Sequence, residues 1–393
     1  MPVFSERSPT DAAIVVAVGT RPWHDLTGFS IAVTAQRRAD EFITLLERHG
    51  AHTIHAPAIH IVHLVEDDQL RDVTQQVIDS PPDVLVVTTG FGFRSWIDAA
   101  HAWQLADTLV AVLRRLRIVA RGPKALGAVR QAGLHEEWSA QSESSNEVVT
   151  RLLAQGVTGR RVAVQLHGAG SELEPNADVC QPLVAAGAQV IAIPVYRWQQ
   201  PDDLDPLDRL IAAITDSRVD AVAFTSAPAV ASLVQRADTL DALPLLIAAL
   251  NGPTIAACVG PVTATPLHRL GVPTIAPNRY RLGALARILI EQLPRRTPRL
   301  IAGGHELALR SNGVVVDGQW RPIPPSSMTI LHQLIGADGR AVSTVDISRA
   351  LHQEHTRSVH ASIARLRTAL GSPECIQTIS GRGYRLNLDL PKA

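Results

Sequence analysis

An internal duplication limits the folds open to this 393-residue chain more than any other feature. Three stretches recur in the same order and at nearly one spacing: 83–96 with 220–233, 117–134 with 254–272 and, more weakly, 30–51 with 161–188. In the first pair, DVLVVTTGFGFRSW returns as DAVAFTSAPAVASL. Matches of this kind predict two structural units built on one design.

Each copy alternates short β-branched runs with amphipathic helical patterns, which predicts an α/β fold with two parallel sheets covered on both faces. Ligands of such sheets bind beyond the carboxyl ends of the strands, where helix N-termini suit anions. Small-residue turns fall there in both copies: Thr88-Thr89-Gly90, Thr225-Ser226, RGPKA and VGPVTA. A single turn is also explained as a helix cap, but the repetition favours a two-lobed ligand cleft.

Composition narrows the class of protein. The chain is 46% hydrophobic and 19% charged, which is enough to bury a large core. Lys+Arg and Asp+Glu both number 37, so any nucleic-acid-binding surface is local. The three cysteines are far apart, as expected of a reducing cytoplasm. The apolar run at 12–18 is far shorter than the ~20 residues that span a bilayer, so we expect no membrane association and treat 1–25 as an N-terminal extension.

At the duplicated motifs the sequence resembles uroporphyrinogen-III synthase over residues 26–293. The segments that carry the resemblance are VGPVTATPLHRLGV, AFTSAPAV and AIPVYRW. The resemblance implies two α/β lobes joined by a two-stranded ribbon near 55–65 and 190–200. Lobe 1 would comprise 26–62 and 201–293, and lobe 2 would comprise 66–190.

The same resemblance implies a cleft for a linear tetrapyrrole with eight carboxylates, and no metal or organic cofactor. Tyr196 matches the family's tyrosine and would act as a general acid, with Thr263 and Ser226 as hydroxyl groups at the cleft. A packed aromatic at the lobe junction is the alternative interpretation of Tyr196. The candidate cleft donors are Arg37, Arg38, Thr89, Arg94, Lys124, His167, Arg197, Arg279 and Arg281.

Several departures from the family pattern favour a cleft that binds a ligand without running the family reaction. Ala125 replaces the hydroxyl residue of the first GxxTA turn, and Phe91 and Phe93 are bulky. Glu172 and Glu174 place acids where an anion site prefers cations. The histidines at 52, 55, 60 and 63 lie in predicted strands, where i and i+3 face opposite sides, so we expect no metal site.

The pattern changes at residue 294. PRRTPR begins a predicted linker (294–304), and residues 305–323 predict an antiparallel meander with turns at Asn312-Gly313 and Asp317-Gly318. Three helices follow, at 326–337 (capped by serine), 343–352 and 356–371, and then a hairpin at 376–386. Residues 305–393 therefore resemble the winged helix-turn-helix domain of OmpR/PhoB-type response regulators.

This resemblance implies binding to double-stranded DNA. From residue 356 onward there are six basic residues and two acids. Val359, Ile363, Leu366 and Leu370 form the expected buried stripe of the third helix. The expected DNA-binding residues are Arg357, Ser358, Ser362 and Arg365 off that stripe, Arg367 and Thr378 toward phosphates, and Arg382 at the tip of the wing, with Tyr384 packed beneath it.

Together, the two resemblances predict a ligand-responsive transcription regulator. The arrangement is similar to actinobacterial NnaR-type regulators of nitrate and nitrite assimilation, a process that depends on sirohaem made from uroporphyrinogen III. The expected partners are double-stranded DNA, a small anion or tetrapyrrole effector, and another transcription regulator at the same promoter. Two alternatives remain open: an active synthase with an accessory DNA-binding domain, and a synthase whose winged domain binds another protein.

Overall fold

The computed structural model describes residues 26–64, 68–142, 144–166, 168, 179–351 and 357–389. The remaining residues include Glu172, Glu174 and His167, so the expectations for these three lie outside the described residues. Within the described ranges, no helix combines the length and the apolar composition needed to cross a bilayer.

Two five-stranded parallel sheets form the cores of the two lobes. The lobe 1 strands are β1 (Ser30–Val33), β2 (His52–His55), β10 (Ala221–Phe224), β11 (Ile255–Cys258) and β12 (Thr274–Ile275). The lobe 2 strands are β4 (Val84–Val87), β5 (Arg117–Ala120), β6 (Trp138–Ser139), β7 (Arg161–Gln165) and β8 (Gln189–Ile193). Central strands such as β4 are buried at every position, as expected of a sheet covered on both faces.

The strand order confirms the duplication. It is β12-β11-β10-β1-β2 in lobe 1 and β6-β5-β4-β7-β8 in lobe 2, so each duplicated segment occupies the same place in both sheets. A ribbon of β3 (His60–His63) and β9 (Tyr196–Gln199), paired antiparallel, joins the lobes. The predicted fold class is therefore confirmed.

The helices cover both faces of the sheets. Around lobe 1 they are α1 (Ala39–Glu47), α8 (Asp205–Thr215), α9 (Ala227–Thr239), α10 (Leu243–Asn251), α11 (Pro261–Arg269) and α12 (Leu282–Arg296). Around lobe 2 they are α2 (Asp68–Asp79), α3 (Gly90–Ala102), α4 (Ala106–Leu113), α5 (Pro123–Gln131), α6 (Ser145–Gln155) and α7 (Cys180–Ala185). Thr89 caps α3 by accepting a hydrogen bond from the Gly92 N–H, as its type and position predict.

The C-terminal domain has the predicted winged-helix layout. Its strands are β13 (Arg299–Ala302), β14 (His305–Arg310), β15 (Gly313–Val316), β16 (Gln319–Pro322), β17 (Ile376–Ile379) and β18 (Gly383–Leu386). Its helices are α13 (Pro325–Gly336), α14 (Thr344–Ala350) and α15 (Arg357–Leu370), followed by a 3-10 turn at Pro373–Cys375. Strands β13 to β16 form the antiparallel meander, and β17 with β18 forms the wing.

Two local features differ from the sequence expectations. The segment 294–304, expected as a linker, contains the end of α12 and strand β13, which pairs with β14. The expected serine cap of the first winged-domain helix is wrong, because α13 begins at Pro325 with Pro324 at its N-cap. Proline suits the first position of a helix, since the N–H that it lacks has no partner inside the helix there.

The meander docks at the amino-terminal ends of the central strands of the lobe 1 sheet. Asp220, immediately before β10, accepts hydrogen bonds from the Ser30 N–H (2.7 Å), the Ser311 hydroxyl (2.5 Å) and the Ser311 N–H (3.1 Å). The Asn312 amide donates to the Ser30 hydroxyl at 2.7 Å. The contact is close-packed beside these bonds, because a β-carbon added at Gly28 would lie 2.1 Å from the Trp320 ring.

Burial raises the pKa of Asp220 to about 6, although the Ser311 and Ser30 donors and the nearby Arg310 favour the charged carboxylate. Because the folded pKa lies above the unfolded value of 3.8, the folded chain binds more protons between these two pH values. The contribution of Asp220 to the unfolding free energy therefore falls as pH rises from about 4 through about 6.

We expect the unfolding free energy of the wild type, relative to Asp220→Asn, to rise by on the order of 2–3 kcal/mol between about pH 7 and about pH 4. Urea unfolding of both proteins across this range measures the difference. The other carboxyl groups cancel in the comparison because both proteins carry them. A difference that stays constant with pH would contradict the assigned pKa.

Candidate functional site

A cavity of about 440 Å³ lies between the lobes, at the carboxyl ends of the central strands. The loops that follow β5, β10 and β11 all reach it, as the position of parallel-sheet ligand sites predicts. Its lining residues are Arg121, Lys124, Ser142, Ser144, Ser145, Asn146, Thr225, Val259, Gly260, Pro261, Val262, Thr263, Thr265, Arg269 and Tyr280.

Lobe 2 supplies two helix N-termini and two cations to this cavity. Helix α5 begins after Gly122, and Arg121 and Lys124 flank that start. Helix α6 begins after Ser144, whose hydroxyl accepts a hydrogen bond from the Asn146 N–H. The Arg121 guanidinium lies 3.4 Å from the Ser145 hydroxyl, which connects the two helix starts.

Lobe 1 supplies the facing wall. Helix α11 begins after Gly260, and Thr263 in its first turn is 5% exposed. The Tyr280 ring packs over this helix start, since a β-carbon added at Gly260 would lie 3.0 Å from the ring. Arg269 brings a third cation, and Thr225 adds a hydroxyl directly after β10.

The electrostatics of the cavity suit an anion. Three cations and several hydroxyl groups line it, and none of the lining residues within the described ranges is acidic. The N–H groups at the starts of α5, α6 and α11 add partial positive charge. One carboxylate lies near its rim, where Glu147 accepts hydrogen bonds from Ser142.

The structure gathers only part of the predicted cleft set at this cavity. Lys124 and Thr263 line it, and Ser226 follows the lining residue Thr225 as the N-cap of α9. Arg121, Arg269 and the Ser142–Asn146 loop were missed from the sequence. The Ser-x-x-Glu pattern from Ser144 to Glu147 was an available signal for a helix start.

Tyr196 belongs to an aromatic cluster at the lobe junction. It is 3% exposed, and its ring lies 5.3 Å from Phe91 and 5.8 Å from Trp198. The Arg37 guanidinium covers the Phe91 ring at 3.7 Å. Partial burial and the neighbouring Arg94 and Arg38 lower the pKa of Arg37, while Tyr196 raises it.

The remaining predicted cations lie elsewhere. Arg38 pairs with Glu41 at 2.7 Å on the surface. Arg94 lines a separate groove of about 480 Å³ between α3, α4 and α5. Arg197 lies on ribbon strand β9, and Arg279 and Arg281 are exposed on either side of Tyr280.

The four predicted histidines lie on β2 and β3, as expected. His55 Nε2 lies 2.9 Å from the Ala35 carbonyl, and His60 Nδ1 lies 2.8 Å from the Gln36 amide. Across the described ranges, no three His, Cys, Asp or Glu side chains form a group that could hold a metal ion.

Helix α15 has the predicted buried stripe. Val359, Ile363, Leu366 and Leu370 are at most 1% exposed. Ser362 corrects one expectation, because at 2% exposure it lies on the buried side. Arg365 is exposed and donates to the Ser362 hydroxyl at 3.0 Å, so it remains the candidate base-reading side chain of the helix.

The other predicted DNA-binding residues of α15 are less accessible than Arg365 or are not described. Ser358 is half-buried, and Arg357 begins α15, although its side chain lies outside the described features. Arg367 is engaged within the domain, because its guanidinium donates to the Ile376 carbonyl (2.7 Å) and the Thr378 hydroxyl (3.0 Å).

The wing presents Arg382 at its tip. Gly381 (φ 68°) and Gly383 (φ 112°) flank it in backbone conformations that favour glycine. Arg382 is exposed, whereas Tyr384 is 5% exposed beneath the wing and bonds to His360 Nδ1, which confirms its predicted packing.

Comparisons with known proteins follow the same division of the chain. Residues 40–287 match the family described as uroporphyrinogen-III synthase HemD. Residues 319–386 match the family described as transcriptional regulatory protein, C terminal. The fusion of these two regions supports a transcription regulator and DNA binding.

Individual relatives match the first region. The Bacillus subtilis (strain 168) uncharacterized protein YjjA is 29% identical over 261 residues, which are 66% of this chain and 94% of YjjA. A putative uroporphyrinogen-III synthase from Methanothermobacter thermautotrophicus is 25% identical over 246 residues, 62% of this chain and 90% of that protein. The structure of a mutant uroporphyrinogen III synthase from the extremely thermophilic bacterium Thermus thermophilus aligns with a TM-score of 0.56 at 27% identity, covering 68% of this chain and 100% of that chain.

Proposed function

This chain belongs to the uroporphyrinogen-III synthase HemD family, and on that premise we propose that it is a transcription regulator controlled by an anionic ligand. In this proposal the interlobe cavity binds the ligand, and the C-terminal domain binds double-stranded DNA. The observation that carries the proposal is one chain that joins a cavity lined by Arg121, Lys124 and Arg269 to a winged helix presenting Arg365 and Arg382.

The finer proposal concerns the ligand and the regulated process. The candidates are a small anion, nitrite first, and a carboxylated tetrapyrrole. Nitrite follows from the resemblance to regulators of nitrate and nitrite assimilation, and it is small enough for a single helix N-terminus. A tetrapyrrole would report on the supply of the sirohaem precursor. Another transcription regulator at the same promoter is a further proposed partner.

Retained synthase activity is the second candidate, because family membership favours it. The burial of Tyr196 argues against it, since a general acid must come within hydrogen-bond reach of its substrate. The Phe91 and Trp198 rings both pack against its ring. We therefore propose binding without turnover, and a cytoplasmic protein that acts at DNA.

We expect Arg365→Ala to weaken binding to the preferred duplex by about 1–3 kcal/mol and to relax specificity at one position, because a base contact is lost. The duplex is selected from a randomised library with the full chain, and affinities are measured at one salt concentration. Arg367→Ala is measured for comparison. This variant loses the Arg367 bonds to β17, so its unfolding free energy should be lower than that of Arg365→Ala. A variant without residues 294–393 that binds the duplex like the wild type would refute the DNA-binding proposal.

We expect little or no uroporphyrinogen III from hydroxymethylbilane. The coupled assay separates the III isomer from the spontaneously formed I isomer. If turnover is found, Tyr196→Phe should lower it far more than Lys124→Ala. Turnover at the rate of a Thermus-type synthase assayed in parallel would favour the enzyme over the regulator.

We expect an anion bound in the interlobe cavity to change duplex affinity by roughly 5–150-fold, which corresponds to about 1–3 kcal/mol of coupling. Duplex affinity is measured with nitrite, nitrate, chloride and uroporphyrin in turn at constant ionic strength, because added salt alone weakens phosphate contacts. The double variant Arg121→Ala/Lys124→Ala should lose the response. Equal affinity under all four additions would leave the cavity without a sensing role.

A further inference from the structure

The DNA-binding domain docks at the amino-terminal ends of the lobe 1 strands. The ligand cavity lies at their carboxyl ends. Asp220 precedes strand β10 and contacts the meander, whereas Thr225 follows the same strand and lines the cavity. Five residue steps of extended strand separate the two positions by roughly 16 Å. The two functional surfaces are therefore the two ends of one buried strand.

The docking contact is specific. We call Ser30, Asp220, Ser311 and Asn312 the Asp220 junction. Three hydrogen bonds of 2.5–3.1 Å cross the domain boundary, two from Ser311 to Asp220 and one from Asn312 to the Ser30 hydroxyl. The Ser30 N–H bond to Asp220 (2.7 Å) fixes the carboxylate within lobe 1. A fourth bond across the boundary runs from the Asn312 N–H to the Gly28 carbonyl at 3.3 Å.

A cationic side chain extends the contact on one side. Arg310, 6% exposed, bonds to the Thr27 carbonyl, and its guanidinium lies 4.4 Å from the centre of the Phe29 ring. On the other side the Trp320 ring fills the space beside Gly28. Polar bonds and close packing of this kind fix the relative orientation of two domains better than an apolar contact alone, because each bond has a preferred direction.

The strand between the two surfaces is buried and is paired on both sides. Strand β10 lies between β11 and β1, and its four residues are all buried. At its cavity end, the Thr34 hydroxyl donates to the Ala223 carbonyl at 3.0 Å, which joins β1 and β10 beyond the sheet pairing. Lobe 1 therefore offers no hinge, within its described residues, between its wall of the cavity and its contact with the meander.

We propose that lobe 1 and the DNA-binding domain move as one body through the Asp220 junction, so that ligand binding acts on DNA by moving lobe 2 relative to that body. This inference rests on the proposed function, because it specifies how the cavity controls the DNA-binding domain. The ribbon β3–β9 is the connection about which lobe 2 moves. The junction holds the DNA-binding domain in the position from which lobe 2 approaches or recedes.

The test removes side-chain hydrogen bonds of the junction without touching the cavity or α15. Ser311→Ala/Asn312→Ala changes only the meander turn, and Asp220→Asn changes the lobe 1 side. Gln319→Ala is the matched control, because Gln319 is exposed on the same meander and its side chain bonds to Arg321 rather than to lobe 1. For each protein, duplex affinity is measured with and without nitrite, and with and without uroporphyrin.

We expect the wild type and Gln319→Ala to show the same ligand-induced change in duplex affinity, at least about fivefold. In the junction variants the change should fall below about twofold, while duplex affinity without ligand and ligand affinity without duplex stay within about twofold of wild type. Junction variants that keep the full wild-type change would overturn the inference and leave the proposed function intact.

Amide hydrogen exchange tests the junction independently of any ligand. The Ser311 and Asn312 amides, which donate across the domain boundary to Asp220 and Gly28, should be strongly protected in the wild type and should remain so when nitrite or uroporphyrin is added. If these amides exchange as fast as the backbone amides of unstructured loops, the rigid-body inference is overturned, even if ligands change duplex affinity. Absence of any effect of nitrite, nitrate, chloride or uroporphyrin in the wild type would leave the cavity without a sensing role, and the exchange result alone would then decide whether lobe 1 and the DNA-binding domain form one body.

Discussion

The direction of the parallel strands determines where every functional surface of this protein lies. In both lobes the strands run toward the interlobe cavity, so the starts of α5, α6 and α11 converge on one space. The C-terminal domain contacts the opposite, amino-terminal ends of the lobe 1 strands, where the buried carboxylate of Asp220 accepts a hydrogen bond from Ser311. The interlobe cavity and the C-terminal domain therefore lie at opposite ends of the strands of one sheet.

The same scaffold carries a cavity whose described lining has the charge that an anion requires. Arg121, Lys124 and Arg269 line it, while Tyr196, which is 3% exposed, lies in an aromatic cluster with Phe91 and Trp198. An anion bound at the helix starts needs no proton transfer, only N–H groups and positive charge. Under the proposed function the cleft binds its ligand, and the buried side chain of Tyr196 takes no part.

Much of the architecture could be predicted from the sequence because it follows from local patterns. Repeated short apolar runs predicted the two sheets, and the 3–4 spacing from Val359 to Leu370 predicted the buried stripe of α15. The wing followed from the glycines on either side of Arg382, whose positive φ angles the structure confirms.

What the sequence did not predict depends on contacts between distant segments. Asp220 carries no local signal of burial in the sequence, because its partner Ser311 is 91 positions later in the chain. Ser362 lies three residues after Val359 and four before Leu366, so the helical period itself places it beside the buried stripe, and only the family resemblance had favoured a DNA contact. Strand β13 was not predicted, because its segment is rich in arginine and proline. It forms a strand by pairing antiparallel with β14.

Calorimetric titration of ligand into free and duplex-bound protein tests the central claim most directly. Linkage requires that a ligand which changes duplex affinity has its own affinity changed by the same factor when the duplex is bound. The account predicts that the dissociation constant of nitrite or uroporphyrin differs at least about fivefold between the two forms, and that Arg121→Ala/Lys124→Ala abolishes the binding. Identical dissociation constants for free and duplex-bound protein would contradict control of DNA binding by the interlobe cavity.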